Sequence, residues 1–484
     1  MNNIHYCNNI IFKNLKNKYL NINKYMSNKF FDGVYNFTED IFNQLLIIFQ
    51  GKTIGKDVTF DILMEEFFED NNNLIIEKKG GQENNEYSEL SYKLTKEISK
   101  KDKKNNGIFF SPVSSIKKMT HMIKGIKNIH IKHILEPSCG SCEVIQYMNK
   151  HFNNLIIDAV EYNDIIFNSL KDINIHNVTF IHKNYLHFDN NKKYDLIIGN
   201  PPYFVMKKEE VDKKYWDYFT GRPNIFLIFI IHSLNKLNKN GILSFILPIN
   251  FLNCSYYDNL RKHIYLNYKI IDIIDCSNDK YIETQQDTII FCIQNTKPDK
   301  NEKFTMLYNN FTIFNTPSNI VNLKELTENS FNLNSLDLSV SVGNVVWNQE
   351  KDKLTKDKKN TRLIYNSDIV NGELVFKEYK NKEKKNFIKK EGKRNPVIIV
   401  NRGYAAGNYS FEYYLLNIRK QYLLENHIIY IHPQKNIETN ELLKLLKKII
   451  ISFENPKTKK FIELYFGNNN MNTTELEYIL PIYC

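Results

Sequence analysis

The chain has 484 residues, enough for two or three domains, and 42% of them are hydrophobic, which is typical of a globular protein and excludes wholesale disorder. The net charge of +11, together with 30 tyrosines and 32 phenylalanines, allows the basic and aromatic surface that nucleic-acid binding requires. The seven scattered cysteines, an odd number, do not form a disulfide framework. Asn, Lys and Ile are abundant, a bias that an AT-rich genome imposes on any protein, so part of the lysine excess carries no functional information.

No segment predicts membrane insertion or secretion. The longest apolar run, residues 225–231, is far shorter than the roughly 20 residues that cross a bilayer. The polar start of the chain, residues 1–30, lacks the apolar core of a signal peptide. We therefore expect a soluble intracellular protein, in the cytoplasm or the nucleus, without a membrane partner.

In chain order, residues 1–104 predict an N-terminal helical region. Apolar residues between positions 34 and 98 recur at spacings of three and four, which is the pattern of amphipathic helices. A break rich in Asn, Gly and Lys at 71–86 interrupts this pattern, and the charged run 100–104 closes it. The residues themselves do not indicate what this region does.

Residues 105–299 predict an α/β domain, because apolar strands alternate with helical patterns. The last strand follows the sixth without room for a helix. We also expect a helix after Pro112, with apolar residues at 116, 119, 122 and 123, a helix that starts near 144, and helices at 225–237 and 257–266. The expected strands are 131–135, 155–160, 178–182, 196–198, 241–247, 270–275 and 288–293.

The stretch 194–204 reads Tyr-Asp-Leu-Ile-Ile-Gly-Asn-Pro-Pro-Tyr-Phe and predicts a buried strand that ends in a sharp turn. Pro201 and Pro202 have no N–H and a narrowed φ, so the loop is stiff and its carbonyls are free. The Asn200 side-chain oxygen and the Pro201 carbonyl suit the exocyclic amine of a base, and Tyr203 suits stacking on the ring. A plain proline turn after a core strand is the alternative.

Asn-Pro-Pro-Tyr after an apolar strand resembles the catalytic motif of the S-adenosylmethionine-dependent amino-methyltransferases that act on adenine. The resemblance covers residues 105–295 well and the remainder loosely. It implies a Rossmann-like seven-stranded methyltransferase sheet, S-adenosylmethionine as the cofactor and double-stranded DNA as the substrate, without a metal. The cofactor turn precedes the catalytic loop, as in the class with target recognition at the carboxyl end. A restriction endonuclease partner is not visible in the sequence. The implied catalytic residues are Asn200, Pro201, Pro202 and Tyr203.

The resemblance places the cofactor at the ends of the first three strands. The turn at 136–142, Glu-Pro-Ser-Cys-Gly-Ser-Cys, is similar to the family's Glu-Pro-x-x-Gly-x-Gly, with Cys142 where a second glycine is usual. Glu161 stands at the spacing of a carboxylate that accepts both ribose hydroxyls. Asn184 stands where relatives place Asp, so it keeps an acceptor oxygen and loses the charge. The implied cofactor-binding residues are Phe110, Ser111, Glu136, Ser138, Gly140, Glu161, Asn184 and Tyr185.

Two of these features have alternative interpretations. In the family a Thr-Pro at the place of Ser111 and Pro112 holds the methionine carboxylate, but Ser111 also suits the cap of the following helix. Cys139 and Cys142 have the spacing of a redox or zinc motif. We expect no metal, because no second pair of cysteines or histidines stands at ligand spacing.

Residues 300–484 are expected to form an α+β target-recognition domain. Short strand patterns within 339–348 and 395–403 resemble the recognition region of DNA adenine methyltransferases, and 441–452 predicts a helix. The basic runs 351–359 and 377–394 suit the neutralisation of phosphates, with an ordinary solvated surface as the alternative.

Two residues are expected to contact the substrate. Tyr281 resembles the second aromatic residue that the family places against a flipped base, and an ordinary turn tyrosine is the alternative. Arg402, next to a strand and a glycine-bearing turn, is expected to contact a base or a phosphate, and a structural arginine is the alternative.

Together these observations predict a site-specific DNA methyltransferase that modifies the N6 amine of adenine. One alternative is a methyltransferase that acts on RNA or on the glutamine of a release factor, since these use the same loop, although such relatives usually lack a large C-terminal domain. The other is a non-catalytic DNA-binding relic, which the departures at Cys142 and Asn184 make conceivable.

Overall fold

The computed structural model describes residues 87–279, 281–283, 286–401, 411–466 and 471–483. Its largest sheet has seven strands, and each lies where the sequence predicts one. The strands are β1 His133–Glu136, β2 Ile156–Glu161, β3 Val178–His182, β4 Tyr194–Gly199, β5 Leu237–Pro248, β6 Lys269–Asp275 and β7 Thr288–Gln294. Their order across the sheet is β3-β2-β1-β4-β5-β7-β6. The expected α/β fold class is therefore confirmed.

The first five strands are parallel, and β7 runs antiparallel to both β5 and β6. The antiparallel last strand agrees with the methyltransferase fold that the sequence resembles. Strand β1 lies between β2 and β4, so the chain order reverses direction at this point. In open parallel sheets, ligands bind outside the carboxyl ends of the strands at such a reversal.

Helices cover both faces of the sheet, which is why its strands are apolar on both sides. Leu135 and Ile197 pack on the face of the helices at 225–234 and 258–267, whereas Ile134 and Leu196 pack on the face of the helices at 113–124 and 143–151. The helix predicted at 225–237 ends at Leu234, and Leu237 already begins β5. The helices up to this point are α1 Glu89–Glu97, α2 Lys100–Asn106, α3 Val113–Lys124, α4 Glu143–His151, α5 Asp164–Ser169, α6 Ile225–Leu234 and α7 Asp258–Asn267.

The C-terminal region mixes strands and helices, as expected. The strands are β8 Thr305–Tyr308, β9 Phe311–Phe314, β10 Leu338–Val342, β11 Leu354–Thr355, β12 Thr361–Ile364, β13 Ile369–Val370, β14 Glu373–Leu374, β15 Phe387–Ile388, β16 Val397–Asn401, β17 Tyr413–Leu416, β18 Tyr422–Leu424 and β19 Ile428–Pro433. Two four-stranded sheets have the orders β10-β19-β16-β17 and β11-β15-β12-β18, and β8 with β9 and β13 with β14 form two-stranded sheets. The helices are α8 Pro317–Thr327, α9 Thr439–Glu454, α10 Pro456–Tyr465 and α11 Thr473–Tyr478.

A buried arginine joins the seven-stranded sheet to the C-terminal region. Arg261 on α7 is fully buried and donates to the carbonyls of Thr312 at 2.5 Å, Cys254 at 2.8 Å and Phe251 at 3.1 Å. Burial lowers the pKa of its guanidinium, and Asp258 at 3.5 Å opposes that shift. Because a buried cation needs such partners, this junction fixes the C-terminal region against the sheet.

Residues 1–86 lie outside the described part of the chain, so the expected N-terminal helical region is represented only by α1 and α2. Within the described residues, no helix combines the length and the apolar character that crossing a bilayer would need.

Candidate active site

Two loops meet at the carboxyl ends of β1 and β4, the strand pair at which the chain order reverses. Leu135 pairs with Ile197 in the parallel register, so the turn 137–142 and the loop 200–203 leave the sheet side by side. The Ser138 hydroxyl donates to the Asn200 carbonyl at 3.0 Å and ties the two loops together. The structure therefore brings the expected cofactor turn and the expected catalytic loop into contact.

The side chain of Asn200 is held from both sides. Its amide nitrogen donates to the carbonyl of Phe109 at 3.1 Å, and its oxygen accepts from the Tyr203 hydroxyl at 2.5 Å. The same hydroxyl lies 2.8 Å from the Ile246 carbonyl. Since a carbonyl can only accept, the Phe109 carbonyl must face the NH2 end of the Asn200 amide. The Asn200 oxygen therefore points to Tyr203, and its second lone pair is left for another donor.

The segment after α2 packs against the loop 200–203, and the sequence did not indicate this contact. Gly107 has φ of +63°, and a Cβ on it would lie only 2.4 Å from the Tyr203 backbone nitrogen. Two residues later, the ring of Phe109 stacks on the ring of Tyr203 with centroids 6.4 Å apart. A contact between backbone atoms leaves no recognisable pattern in the sequence, so Gly107 itself was the only indication of this packing.

Tyr281 also reaches this side of the site. Its half-buried side chain lies within hydrogen-bonding distance of the Thr288 hydroxyl, at 3.4 Å, and burial raises its pKa. A small cleft is lined by Tyr281 with Phe109 and Phe110. Tyr203 has a raised pKa because it is buried, and the neighbouring Tyr281 adds to the shift. The two tyrosines expected at the substrate are thus neighbours.

Glu161, at the end of β2, faces the turn that follows β1. Its carboxylate accepts from the backbone nitrogen of Gly140 at 3.0 Å and from that of Asn163 at 2.8 Å. Burial raises its pKa, and these two hydrogen bonds oppose the shift. A carboxylate oxygen has more than one acceptor site, so the group can hold the turn and still accept from a ligand.

Glu136 ends β1 in the same crevice and is almost completely buried. Among the described residues, its Oε2 atom has no hydrogen-bond partner. Its pKa is raised well above the usual range, first by burial and then by electrostatic interaction with the neighbouring acidic groups of Cys142, Glu143 and Glu161. A buried carboxyl oxygen without a partner is unfavourable, so a bound polar ligand would stabilise this group.

Phe110 and Ser111 lie beside the same turn. The Phe110 ring is buried 3.7 Å from where a Cβ on Gly140 would be, so the two residues are in contact. Ser111 is buried as well, but it does not cap α3. The N-cap residue of α3 is Pro112, which has an extended backbone. Its side chain cannot accept a hydrogen bond, so this helix has no side-chain cap. The capping interpretation of Ser111 is therefore wrong.

Asn184 and Tyr185 follow β3, and both side chains have partners within the protein. The Asn184 side-chain oxygen accepts from the Leu186 nitrogen at 3.0 Å and caps a short 3₁₀ turn. Tyr185 is fully buried in the core, where its hydroxyl pairs with that of Ser233 at 2.8 Å. The Tyr185 side chain is therefore part of the core, and its expected contact with the cofactor stays a prediction.

A buried carboxylate that the sequence analysis missed connects α1 to the cofactor turn. Glu143, in the first turn of α4, accepts from the hydroxyls of Ser88, Ser91 and Ser141. Three serines spread over 54 positions give no recognisable pattern in the sequence. This cluster fixes α1, and with it the segment that leads to Gly107, against the turn 137–142.

Two further expectations concern the cysteines and Arg402. Cys139 and Cys142 are buried thiols, and the pKa of Cys139 is raised by its contact with Cys142 and by burial. No cluster of three metal-ligating side chains occurs within the part of the chain that the structure describes. Arg402 lies outside the described residues.

Comparison with known proteins identifies the domain around this site. Residues 73–282 match the family model of the Eco57I restriction-modification methylase. The chain is 25% identical to the type II methyltransferase M.CvrRI of Paramecium bursaria Chlorella virus XZ-6E, over 82% of this chain and 99% of that protein. It is 25% identical to M.AccI of Acinetobacter calcoaceticus over 67% of this chain and 56% of that protein. The modification methylase CviBIII of virus NC1A is 31% identical over 39% of this chain and 50% of its own length.

Similar solved structures include a DrdV–DNA complex and a type I restriction-modification methyltransferase subunit from Streptococcus thermophilus. The first has a TM-score of 0.44 and 13% identity, and covers 78% of this chain and 55% of that one. The second has a TM-score of 0.34 and 16% identity, and covers 46% of this chain and 53% of that one. By sequence, residues 73–282 are thus similar to the Eco57I restriction-modification methylases, and the chain is related to type II methyltransferases.

Proposed function

We propose that the protein is a site-specific DNA methyltransferase that transfers the methyl group of S-adenosylmethionine to the N6 amine of adenine in double-stranded DNA. The observation that supports this most strongly is the fixed orientation of Asn200 at the end of β4, with a free lone pair on its oxygen beside the stiff Pro201 carbonyl. Two acceptors on a rigid loop suit an amine that has two hydrogens to donate.

The residues of the loop activate the amine by hydrogen bonding alone. When Asn200 and Pro201 accept both amine hydrogens, the nitrogen lone pair is localised away from the ring and directed toward the methyl donor. Tyr203 and Phe109 hold the Asn200 amide in the orientation that this requires. The aromatic pair Phe109 and Tyr203 and the neighbouring Tyr281 offer ring surface to a flat base that has left the DNA stack.

The residues at the ends of β1 and β2 suit S-adenosylmethionine, whose sulfonium supplies an already activated methyl group. Glu161 has the carboxylate that would accept from the ribose hydroxyls, and the Oε2 atom of Glu136 has no partner among the described residues. Phe110 and Ser111 border the same turn, at the place where the family holds the methionine end. Ser138 keeps this turn and the catalytic loop at a fixed distance.

A transfer assay distinguishes this proposal from its alternatives. The full-length protein is incubated with S-adenosylmethionine carrying a labelled methyl group and, separately, with duplex DNA, RNA and protein substrates. We expect label only on duplex DNA, and only on sequences that contain the recognition site. Label on RNA or on a protein glutamine would contradict the proposal, and tight cofactor binding without any transfer would indicate a non-catalytic relic.

A further inference from the structure

The positive charge of the chain is concentrated in two short segments. Residues 351–359 contain five lysines and two aspartates, a net charge of +3. Residues 377–394 contain eight lysines, one arginine and three glutamates, a net charge of +6. These 27 residues therefore carry +9 of the chain's net charge of +11. A genome-wide codon bias would spread lysines evenly, so it does not explain this concentration.

The structure places the two segments side by side. Strand β11 belongs to the first segment and β15 to the second, and they pair antiparallel with Leu354 opposite Ile388. Just beyond this pair, the backbone nitrogen of Lys389 donates to the carbonyl of Lys353 at 2.9 Å. Segments that are separate in the sequence thus form one continuous surface, which we call the basic face.

Only part of this charge is neutralised within the protein. Glu350 pairs with Lys353 and Lys390, and Glu383 pairs with Lys351. Among the described residues, no acidic partner is found for the exposed side chains of Lys356, Lys358, Lys359, Lys380, Lys382, Lys389 and Arg394. An array of like charges without internal partners is unfavourable by itself and favours an anionic partner.

Two lysines of the second segment have structural roles instead. The Lys384 ammonium lies 4.0 Å from the centre of the Tyr365 ring and 4.6 Å from that of Tyr379, and desolvation lowers its pKa. Lys385 donates to the carbonyl of Leu354 at 3.3 Å. These inward contacts hold β15 in place, so any test of the surface has to leave both residues intact.

We propose that the basic face, residues 351–359 and 377–394, holds the phosphate backbone of the duplex DNA substrate. This inference rests on the proposed function. Thirteen of its fourteen basic side chains are lysines, which act as point charges without the planar fork that reads a base. Such contacts set the position and register of the protein on the duplex and carry no sequence information.

The test uses a triple variant of the full-length chain, Lys356→Gln, Lys358→Gln and Lys359→Gln, since all three lie in the exposed turn between β11 and β12. The matched control removes three exposed lysines from α9 and α10, as Lys444→Gln, Lys459→Gln and Lys460→Gln. Dissociation constants for a duplex with the recognition site and for an unrelated duplex are measured between about 50 and 200 mM salt, the range over which phosphate contacts dominate affinity.

We expect the triple variant to lose affinity for both duplexes by the same factor and to lower the slope of log K against log salt by about 0.9 for each phosphate contact removed. The control should retain the wild-type slope, and S-adenosylmethionine affinity and thermal stability should not change in either protein. Wild-type affinity and slope in the triple variant, or a loss confined to the recognition site, would overturn the proposal while DNA methylation by the wild type stands. If the wild type modifies RNA or protein and does not bind duplex DNA, the proposed function itself fails.

Discussion

The hydroxyl of Tyr203 donates to the side-chain oxygen of Asn200 over 2.5 Å, three residues away on the same loop. This bond links two residues that the motif suggests have separate tasks, one holding the amine and the other stacking on the ring. Because the Phe109 carbonyl holds the other end of the same amide, Asn200 is oriented before any substrate arrives. Preorganised acceptors of this kind lower a barrier because they need not reorient during the reaction.

Replacing Asn200 should abolish methyl transfer without affecting cofactor binding. The Asn200→Ala variant loses an acceptor that acts chiefly in the transition state, which typically costs around 3 kcal/mol, or a hundredfold or more in rate. Single-turnover kinetics and calorimetry with S-adenosylmethionine measure the two effects. Tyr203→Phe keeps the ring and removes the hydroxyl contacts to Asn200 and to the Ile246 carbonyl, so a loss of about 1 kcal/mol, five- to tenfold in rate, is expected. Wild-type turnover in Asn200→Ala would mean that this loop is not catalytic.

Glu161→Ala should weaken S-adenosylmethionine binding by roughly 2 kcal/mol, because a charge-assisted contact to ribose hydroxyls has no substitute nearby. The same change removes the acceptor for the backbone nitrogens of Gly140 and Asn163. Asp164→Ala is the control, since its exposed carboxylate lies three positions further on and pairs only with His182 among the described residues. Calorimetry measures the S-adenosylmethionine affinity of the two variants. Equal affinities would mean that a residue other than Glu161 binds the ribose.

Gly107→Ala should distort the loop 200–203, because Gly107 packs against the backbone of this loop. The new Cβ would overlap the Tyr203 backbone, and Gly107 has a positive φ that costs a non-glycine residue about 1–3 kcal/mol. We expect lower thermal stability and a fall in kcat, with the affinity for S-adenosylmethionine largely kept. Gly125→Ala is the control, because Gly125 has a right-handed helical backbone and its Cβ would lie 3.4 Å from the nearest atom, a carbonyl oxygen. A fully active Gly107→Ala enzyme would show that this contact does not position the loop.

Stability should fall as the pH drops from about 6.5 toward 4, in part through His232 on α6. Burial lowers its pKa to about 4, with Lys236 adding to the shift, while its Nδ1 lies 2.9 Å from the Tyr215 hydroxyl. The unfolded chain, with an ordinary pKa near 6.5, binds the proton first, so this contribution is present above pH 6.5 and lost as the pH falls through the folded pKa.

Urea denaturation at several pH values measures this dependence. Buried Glu475, whose pKa burial raises to about 7, acts in the opposite sense, because its ionisation destabilises the folded state as the pH rises. The informative quantity is therefore the difference between the wild type and His232→Gln. That difference should shrink from pH 7 to pH 4, and a constant difference would contradict the assignment.

The sequence predicted the sheet well because its strands are short apolar runs between polar turns, as at Val178–His182, where the expected and observed bounds agree. The extension of β5 back to Leu237 was missed, because Leu237 also continues the apolar pattern of α6. Contacts made by backbone atoms or by residues far apart in the chain were not predictable. The Phe109 carbonyl on Asn200 and the serines around Glu143 belong to this class, and so does the burial of Tyr185, which contacts Ser233 on α6.

The identity of the methylated atom tests the central claim most directly. DNA modified by the wild-type protein, with Asn200→Ala as the inactive control, is digested to nucleosides and separated by liquid chromatography with mass detection. The account predicts N6-methyldeoxyadenosine in the wild-type sample alone. A methyl group on N4 or C5 of cytosine, or the same product from Asn200→Ala, would contradict it.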